Sequence, residues 1–232
     1  MMILAVDTSG ATFGAALVRE ETVLAETFVR SERHHSELLL PGIEKLLQAA
    51  DLHLHELDIL ACIVGPGSFT GIRIGVATIK GLALAAGLPA VGVSSLKALA
   101  FNAAGFPATI CPMIDARRGQ VYTGLYRSDA PGDLTEVLPE GVRTAEEIAG
   151  MISGEALFIG SGAQVYGDVV RSRTTGANRF APPHLNRISA AAVAVLARRQ
   201  AMAGEITDAL CLNPVYLRRS EAEEKEMENI DR

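Results

Sequence analysis

At 232 residues the chain is long enough for one large domain or two small lobes, each with its own core. Its 21 Lys and Arg against 27 Asp and Glu give a net charge of −6, which argues against nucleic acid as a sole partner. Trp is absent and aromatics reach 5%, so the core must be built from Ala, Leu, Val and Ile, as in helices packed on an apolar sheet.

Ile3 to Val6 reads as a buried strand ending at Asp7. A turn at Thr8-Ser9-Gly10-Ala11, a strand through Ala15 to Val18, and a third over Thr22 to Phe28 complete an antiparallel meander. From His35 the period becomes helical, with Leu38, Leu39, Ile43, Leu46 and Leu47 on one stripe up to about Ala50. Leu40 widens that apolar surface, and Pro41 falls near the first turn. Asp58 to Val64 is a short apolar strand. The glycine turn Gly65-Pro66-Gly67-Ser68-Phe69-Thr70-Gly71 leads into a helix from about Thr70 to Ala86. A strand over Ala90 to Val93 follows, and Ser94-Ser95 caps a further helix through Leu96 and Leu99.

A second unit begins near Gly105-Phe106-Pro107. Its strands are Thr109 to Ile114, ending at Asp115, then Gln120 to Tyr126, and a third over Leu134 to Leu138. Thr144 caps a helix containing Ile148 and Met151, a strand covers Leu157 to Ile159, and a helix is expected from Ala163 to Val170. Arg171 to Pro183 is polar and reads as loop, and an Ala-rich helix spans Ser189 to Met202. The tail beyond Arg218 is charged and expected to fray. Each half thus opens with a strand, a carboxylate at its end, a turn and antiparallel partners, followed by helices. That repeated plan predicts an α/β protein with a two-lobed actin-like ATPase (ASKHA) fold, each lobe a mixed sheet with helices. The expected lobes are residues 1–105 and 106–210, the last helix packing back on the first lobe, with residues 211–232 as a C-terminal segment.

The glycine turn stands where phosphate loops stand, between a strand and a helix. It ends Thr70-Gly71-Ile72-Arg73 instead of Gly-Lys-Ser/Thr, and Gly65, Gly67 and Gly71 read G-x-G-x-x-x-G, so both common nucleotide fingerprints fail. The alternative is a tight turn with Gly67 at positive φ and Ser68 or Thr70 as cap, letting the helix pack closely. Asp7, Thr8 and Ser9, with Asp115 and Arg118, could form a degenerate nucleotide site, but Arg117 and Arg118 are bulky where such loops use small residues. His34-His35-Ser36-Glu37 and His55-Glu56 lack a second ligand at helical spacing, so no metal site is expected. A hydrolase would need a nucleophile elbow, and Gly160-Ser161-Gly162 is too short for one. Cys62, Cys111 and Cys211 are odd in number without CxxC spacing, and read as thiols of a reducing compartment. With no signal peptide legible and no apolar run near about 20 residues, the expected location is cytoplasmic, with no membrane partner.

Five segments resemble the TsaB (YeaZ) family: ILAVDTS from Ile3, RHHSELLLPGIEKLL from Arg33, GPGSFTGIRIGVATIKGLA from Gly65, GVSSLKALA from Gly92 and IDARRGQVYTGLY from Ile114. The final PVYLR also fits. The resemblance implies a non-catalytic subunit in the making of threonylcarbamoyladenosine at position 37 of tRNAs that read codons starting with A. It implies a TsaD-like catalytic partner, a TsaE-like ATPase, a homodimer when alone, and contact with tRNA through the complex. It implies no cofactor of its own, ATP or ADP binding only weakly or at a complex interface. The partner-facing helices would be those at 35–50 and 70–86, with His35, Leu38, Leu39, Ile43, Leu46, Ile72, Gly75 and Ile79 as contacts; Gly71 and Gly75 would permit close approach of another helix. An active kinase-like phosphotransferase of the same fold is the alternative, motivated by Asp7 and Asp115.

Overall fold

The structure is a computed structural model that describes residues 1–30, 35–130, 132–174, 176–206 and 208–218, and of residues 35 and 36 the backbone alone. The frayed-tail expectation and the side chain of His35 therefore lie outside the described residues.

The first sheet opens with the antiparallel meander β1 (Met2–Asp7), β2 (Thr12–Arg19) and β3 (Thr22–Arg30). Helix α1 (His35–Ala49) then leads to β4 (Ile59–Gly65), α2 (Phe69–Ala86), β5 (Ala90–Ser94) and α3 (Ser95–Phe101). The strand order is β3-β2-β1-β4-β5, with β4 parallel to both β1 and β5. The second sheet repeats the plan with β6 (Thr109–Arg117), β7 (Gln120–Arg127), β8 (Thr135–Thr144), α4 (Ala145–Met151), β9 (Ala156–Ile159), α5 (Ser161–Val165), α6 (Gly167–Arg173) and β10 (Asn178–Phe180). Its order, β10-β9-β6-β7-β8, is the first sheet's order with the second-lobe strands substituted. Helix α7 (Ala190–Met202) closes the fold.

The central strands explain this layering. Every residue of β1 and β4 is buried, as expected of strands covered on both faces. Alternation then sorts the side chains: Leu4, Val6, Leu60 and Cys62 face α1 and α2, whereas Ile3, Ala5, Ile59 and Ala61 face α7 and the second lobe. Small alanines on α7 (Ala190, Ala194, Ala197) let it lie close on β1 and β2. Because Ile110, Tyr126 and Ile159 of the second sheet join the same cluster, α3 and α7 lie between the sheets and α1 and α2 form an outer layer. Glu140 of β8 ties the lobes, accepting from the hydroxyls of Ser94 and Tyr126. Burial, and then the Glu140 charge, hold the Tyr126 phenol far above the ordinary tyrosine range.

Caps follow the sequence. The Ser68 hydroxyl accepts from Gly71 N–H at 3.2 Å, Thr144 and Glu147 form a capping box, and Ser189 caps α7. Glu26 of β3 accepts from Ser189 Oγ at 2.8 Å and Ala191 N–H at 3.3 Å, placing a carboxylate at the positive end of α7.

Three expectations need correction. The helix expected over Ala163 to Val170 is two short ones, broken at Tyr166. The third strand of the second lobe is longer than Leu134 to Leu138 and runs to Thr144. The stretch read as loop over Arg171 to Pro183 contains the end of α6 and the edge strand β10, whose polar Asn178 and Arg179 carry no apolar period. One amendment concerns α2: its 18 residues reach a mean hydropathy of 1.4, long and apolar enough to cross a bilayer. Here its buried residues Ile72, Val76, Ile79 and Ala83 pack into the first lobe.

Candidate functional site

The glycine turn closes over the first loop. The Asp7 Oδ1 atom accepts from Ser9 N–H at 2.8 Å and from Ser9 Oγ at 2.6 Å. The Thr8 hydroxyl donates to Gly71 O at 2.7 Å, and Ser68 N–H donates to Ser9 O at 2.8 Å. All three side chains are buried, with exposures of 3%, 2% and 5% for Asp7, Thr8 and Ser9. The glycines are what make this possible. A Cβ on Gly67 would stand 2.5 Å from Ser9 O, and one on Gly71 only 2.0 Å from Thr8 O. Gly65, at φ 130°, is covered from the other side, where a Cβ would meet Val215 O at 2.2 Å.

The equivalent end of the second lobe is more open. Asp115 is half-buried; its Oδ1 accepts from Arg117 N–H at 2.8 Å and from the Tyr166 hydroxyl at 3.1 Å. Arg118 is exposed beside it, at the tip of the β6–β7 turn. Asp7 and Asp115 therefore occupy matching places on matching central strands, but only the first is sealed beneath a helix.

A C-terminal strap, residues 212–218, joins these two ends. Val215 N–H donates to Val64 O at 2.7 Å, Leu212 is buried in the first-lobe core, and Tyr216 stacks on Phe69 with ring centroids 4.5 Å apart. Sequence reasoning saw this segment only as a family motif, since a strap without regular structure leaves no periodic signal.

The proposed contact residues on α1 and α2 are placed differently from expectation. Leu39, Ile43, Leu46, Ile72 and Ile79 are 6% exposed or less and belong to the first lobe's own core. Gly75 is buried too, and a Cβ there would meet Thr8 Oγ1 at 2.5 Å. Gly71 and Gly75 thus admit the chain's own first turn, not a second molecule's helix. Leu38 is half-buried and lines, with Phe13, Val29 and Lys45, a groove of about 490 Å³ between α1 and β3. Among the exposed residues of these helices are the apolar Leu40 and Leu84, exposed by 52% and 53%, with Ala77 and Gly81. The signal that could have found them is the remainder left once the core stripe has been assigned.

The thiols are sharply divided. Burial, with a smaller push from the Asp7 charge, raises Cys62 from 9.0 to about 12, and burial raises Cys111 to about 12. Cys211 is exposed. Thiol titration of the native chain at pH 8 should therefore show one fast-reacting cysteine, and three after unfolding. Because the unfolded thiols ionise near 9.0 and the folded ones near 12, stability should fall as pH rises through that window. Constant stability there, measured by denaturant melts, would contradict this assignment.

A family model described as "TsaD: tRNA N6-adenosine threonylcarbamoyltransferase" matches residues 22–226. The tRNA threonylcarbamoyladenosine biosynthesis protein TsaB of Bacillus subtilis is 38% identical over 99% of this chain and 99% of its own length. The solved structure of YeaZ from Pseudomonas aeruginosa superimposes with a TM-score of 0.81 at 30% identity, covering 93% of this chain and 99% of that one. A ROK hexokinase from Thermus thermophilus, at TM-score 0.50 and 12% identity over 88% of this chain and 100% of that one, shares the actin-like ATPase fold alone. With the two repeated sheets and matching motifs, these likenesses establish that the chain belongs to the TsaB (YeaZ) family of tRNA threonylcarbamoyladenosine biosynthesis proteins.

Proposed function

We propose that the chain is a non-catalytic subunit acting in threonylcarbamoyladenosine formation at position 37 of tRNAs that read codons starting with A. In this reading it joins a TsaD-like catalytic subunit and a TsaE-like ATPase, pairs with itself when alone, and works in the cytoplasm. The observation that carries the reading is the sealed first turn. In an actin-like ATPase this loop would meet nucleotide phosphates, whereas here the start of α2 lies on Thr8 and Ser9 and their polar groups bond to it. Phosphate entry would require displacing α2 from the sheet. The exposed Ala77, Gly81 and Leu84, at helical spacing on α2, and the exposed Leu40 of α1 supply the partner surface, small enough on α2 for a second helix to approach closely.

The kinase-like phosphotransferase remains the second reading, favoured by Asp7 and Asp115 at matching strand ends. Calorimetry and turnover with ATP and magnesium on the isolated chain discriminate. The subunit reading expects negligible turnover and no tight binding, together with co-purification of the TsaD-like protein. Tight magnesium-dependent ATP binding with phosphate transfer would favour the kinase.

A further inference from the structure

β3 ends the strand order of the first sheet, so one of its edges is open. Among the described residues its backbone pairs with β2 alone. Open edges are usually blunted by lysine, proline, shortness or bulges. β3 is nine residues long with neither Lys nor Pro, and its bulge, at Leu24, lies near its start. Val23, Leu24, Phe28 and Val29 are nevertheless 37–47% exposed, a large apolar load for one edge strand. The two faces of the strand differ. Ala25, Thr27 and Val29 pair with Leu17, Ala15 and Phe13 and share the α1 face, where they line the groove of about 490 Å³. Glu26 and Phe28 pair with Ala16 and Gly14 and share the α7 face. There the Arg187 guanidinium lies 4.1 Å from the Phe28 ring centroid, its Nη1 buried with no hydrogen-bond partner. The Glu26 Oε1 atom accepts from Ser189 and Ala191, and its Oε2 atom bonds to no described residue.

We infer that this edge pairs with the same edge of a second copy, antiparallel, about a two-fold axis at Thr27. The register follows from the residues. Beyond the bulge the regular stretch is Ala25 to Val29, and its centre is Thr27. Symmetric pairing there sets Ala25 against the second copy's Val29, Glu26 against its Phe28 and Thr27 against its Thr27. No like charges meet, and a Thr–Thr pair suits the axis. A register centred on Glu26 would set two carboxylates side by side and run into the bulge. In the Thr27 register the second copy's Glu26 arrives beside Phe28, under the Arg187 guanidinium that lacks a partner. Glu26 Oε2 and Arg187 then form two reciprocal ion pairs across the axis. On the other face the second copy's Val29 closes the groove at Ala25. An unrelated extended segment would match the open backbone but not this two-fold fit of Glu26 to Arg187. The surface deepens the self-pairing proposed above and rests on it. It leaves α2, which lies over β4, free for the TsaD-like subunit. With a strand of nine residues a side against the roughly 20–30 of a standard interface, the pairing should be weak.

Sedimentation equilibrium of the full-length chain across about 5–500 μM should show its mass rising from 24.5 kDa toward twice that value. Leu40→Glu with Leu84→Glu should leave this association within about twofold, since neither residue lies on β3. Val29→Lys puts a cation on the open edge at a position 38% exposed. It should weaken association at least about tenfold with the melting temperature unchanged. Arg187→Glu would face the second copy's Glu26 and should weaken association about fivefold, and adding Glu26→Arg should recover most of that loss. If loss of the Glu26 cap makes that reversed pair melt early, Val29→Lys and Arg187→Glu still decide. A dimer insensitive to Val29→Lys but abolished by Leu40→Glu/Leu84→Glu places self-pairing on the helices and overturns the edge alone. A chain that stays monomeric at the highest concentration overturns the self-pairing as well. Co-purification of the TsaD-like subunit, read on the same preparations, should survive Val29→Lys. Its loss in that variant would give the edge to that subunit and overturn the inference; its absence in the wild type would sink the subunit reading and leave the edge dimer standing.

Discussion

Replacing Gly71 with alanine should destabilise the isolated chain by about 3 kcal/mol, lowering its melting temperature by about 6–12 °C. Helix propensity alone predicts a gain of about 0.5–1 kcal/mol for the same change. The sign is reversed because the new methyl would stand 2.0 Å from the backbone oxygen of Thr8, which no side-chain rotation can relieve. Gly81, in the same helix, has nothing within 4 Å of its Cβ position, so Gly81→Ala should raise stability by the propensity term. Gly75 lies between these cases. Its methyl would meet the Thr8 hydroxyl at 2.5 Å while the Thr8 Cβ stays 3.8 Å away, so Thr8→Ala should partly rescue Gly75→Ala and should not rescue Gly71→Ala. Thermal and denaturant melts of the five variants decide this. Gly71→Ala as stable as Gly81→Ala would mean that α2 does not seal the first turn.

Charge reversal on the outer helices should separate folding from association. Leu40→Glu with Leu84→Glu replaces two half-exposed side chains, and the melting temperature of the isolated chain should hardly move. Affinity for the TsaD-like subunit should fall about 10- to 100-fold, since carboxylates would be buried without partners at the contact. Ile72→Glu places a carboxylate where the exposure is 0% and should unfold the first lobe outright. If the double variant binds its partner normally, the outward faces of α1 and α2 are not the interface.

Local sequence signals carry only part of this structure. β1, β4 and the caps at Ser94 and Thr144 were legible because their signals are local: unbroken apolar runs and hydroxyls before a helical period; Ser68 was one of two candidates beside Thr70. The repeated plan of the lobes was legible for the same reason. β10 was hidden because an edge strand of Asn178, Arg179 and Phe180 owes its conformation to pairing with β9, a tertiary effect. The expected contact residues Leu39, Ile43, Leu46, Ile72 and Ile79 lie in the chain's own core because the largest apolar residues of an amphipathic helix mark the face turned to its own sheet. Leu39 and Ile43 obey that rule, and Leu40 between them is left exposed. Small-residue spacing on α2 correctly signalled a close approach, but spacing cannot name the approaching backbone, which is that of Thr8. Nor could it foresee that the strap at Val215 and Tyr216 covers the same turn.

A required subunit that does no phosphoryl chemistry itself should be indispensable for modification and inert toward ATP. The direct measurement is threonylcarbamoyladenosine formed on a tRNA transcript by purified TsaD-like and TsaE-like proteins, with and without this chain, alongside ATP hydrolysis by the chain alone. Modification should need the wild-type chain and fall with the Leu40→Glu/Leu84→Glu variant, and the isolated chain should hydrolyse no ATP. Full modification without the chain, or magnesium-dependent ATP turnover by the chain alone, would contradict this role.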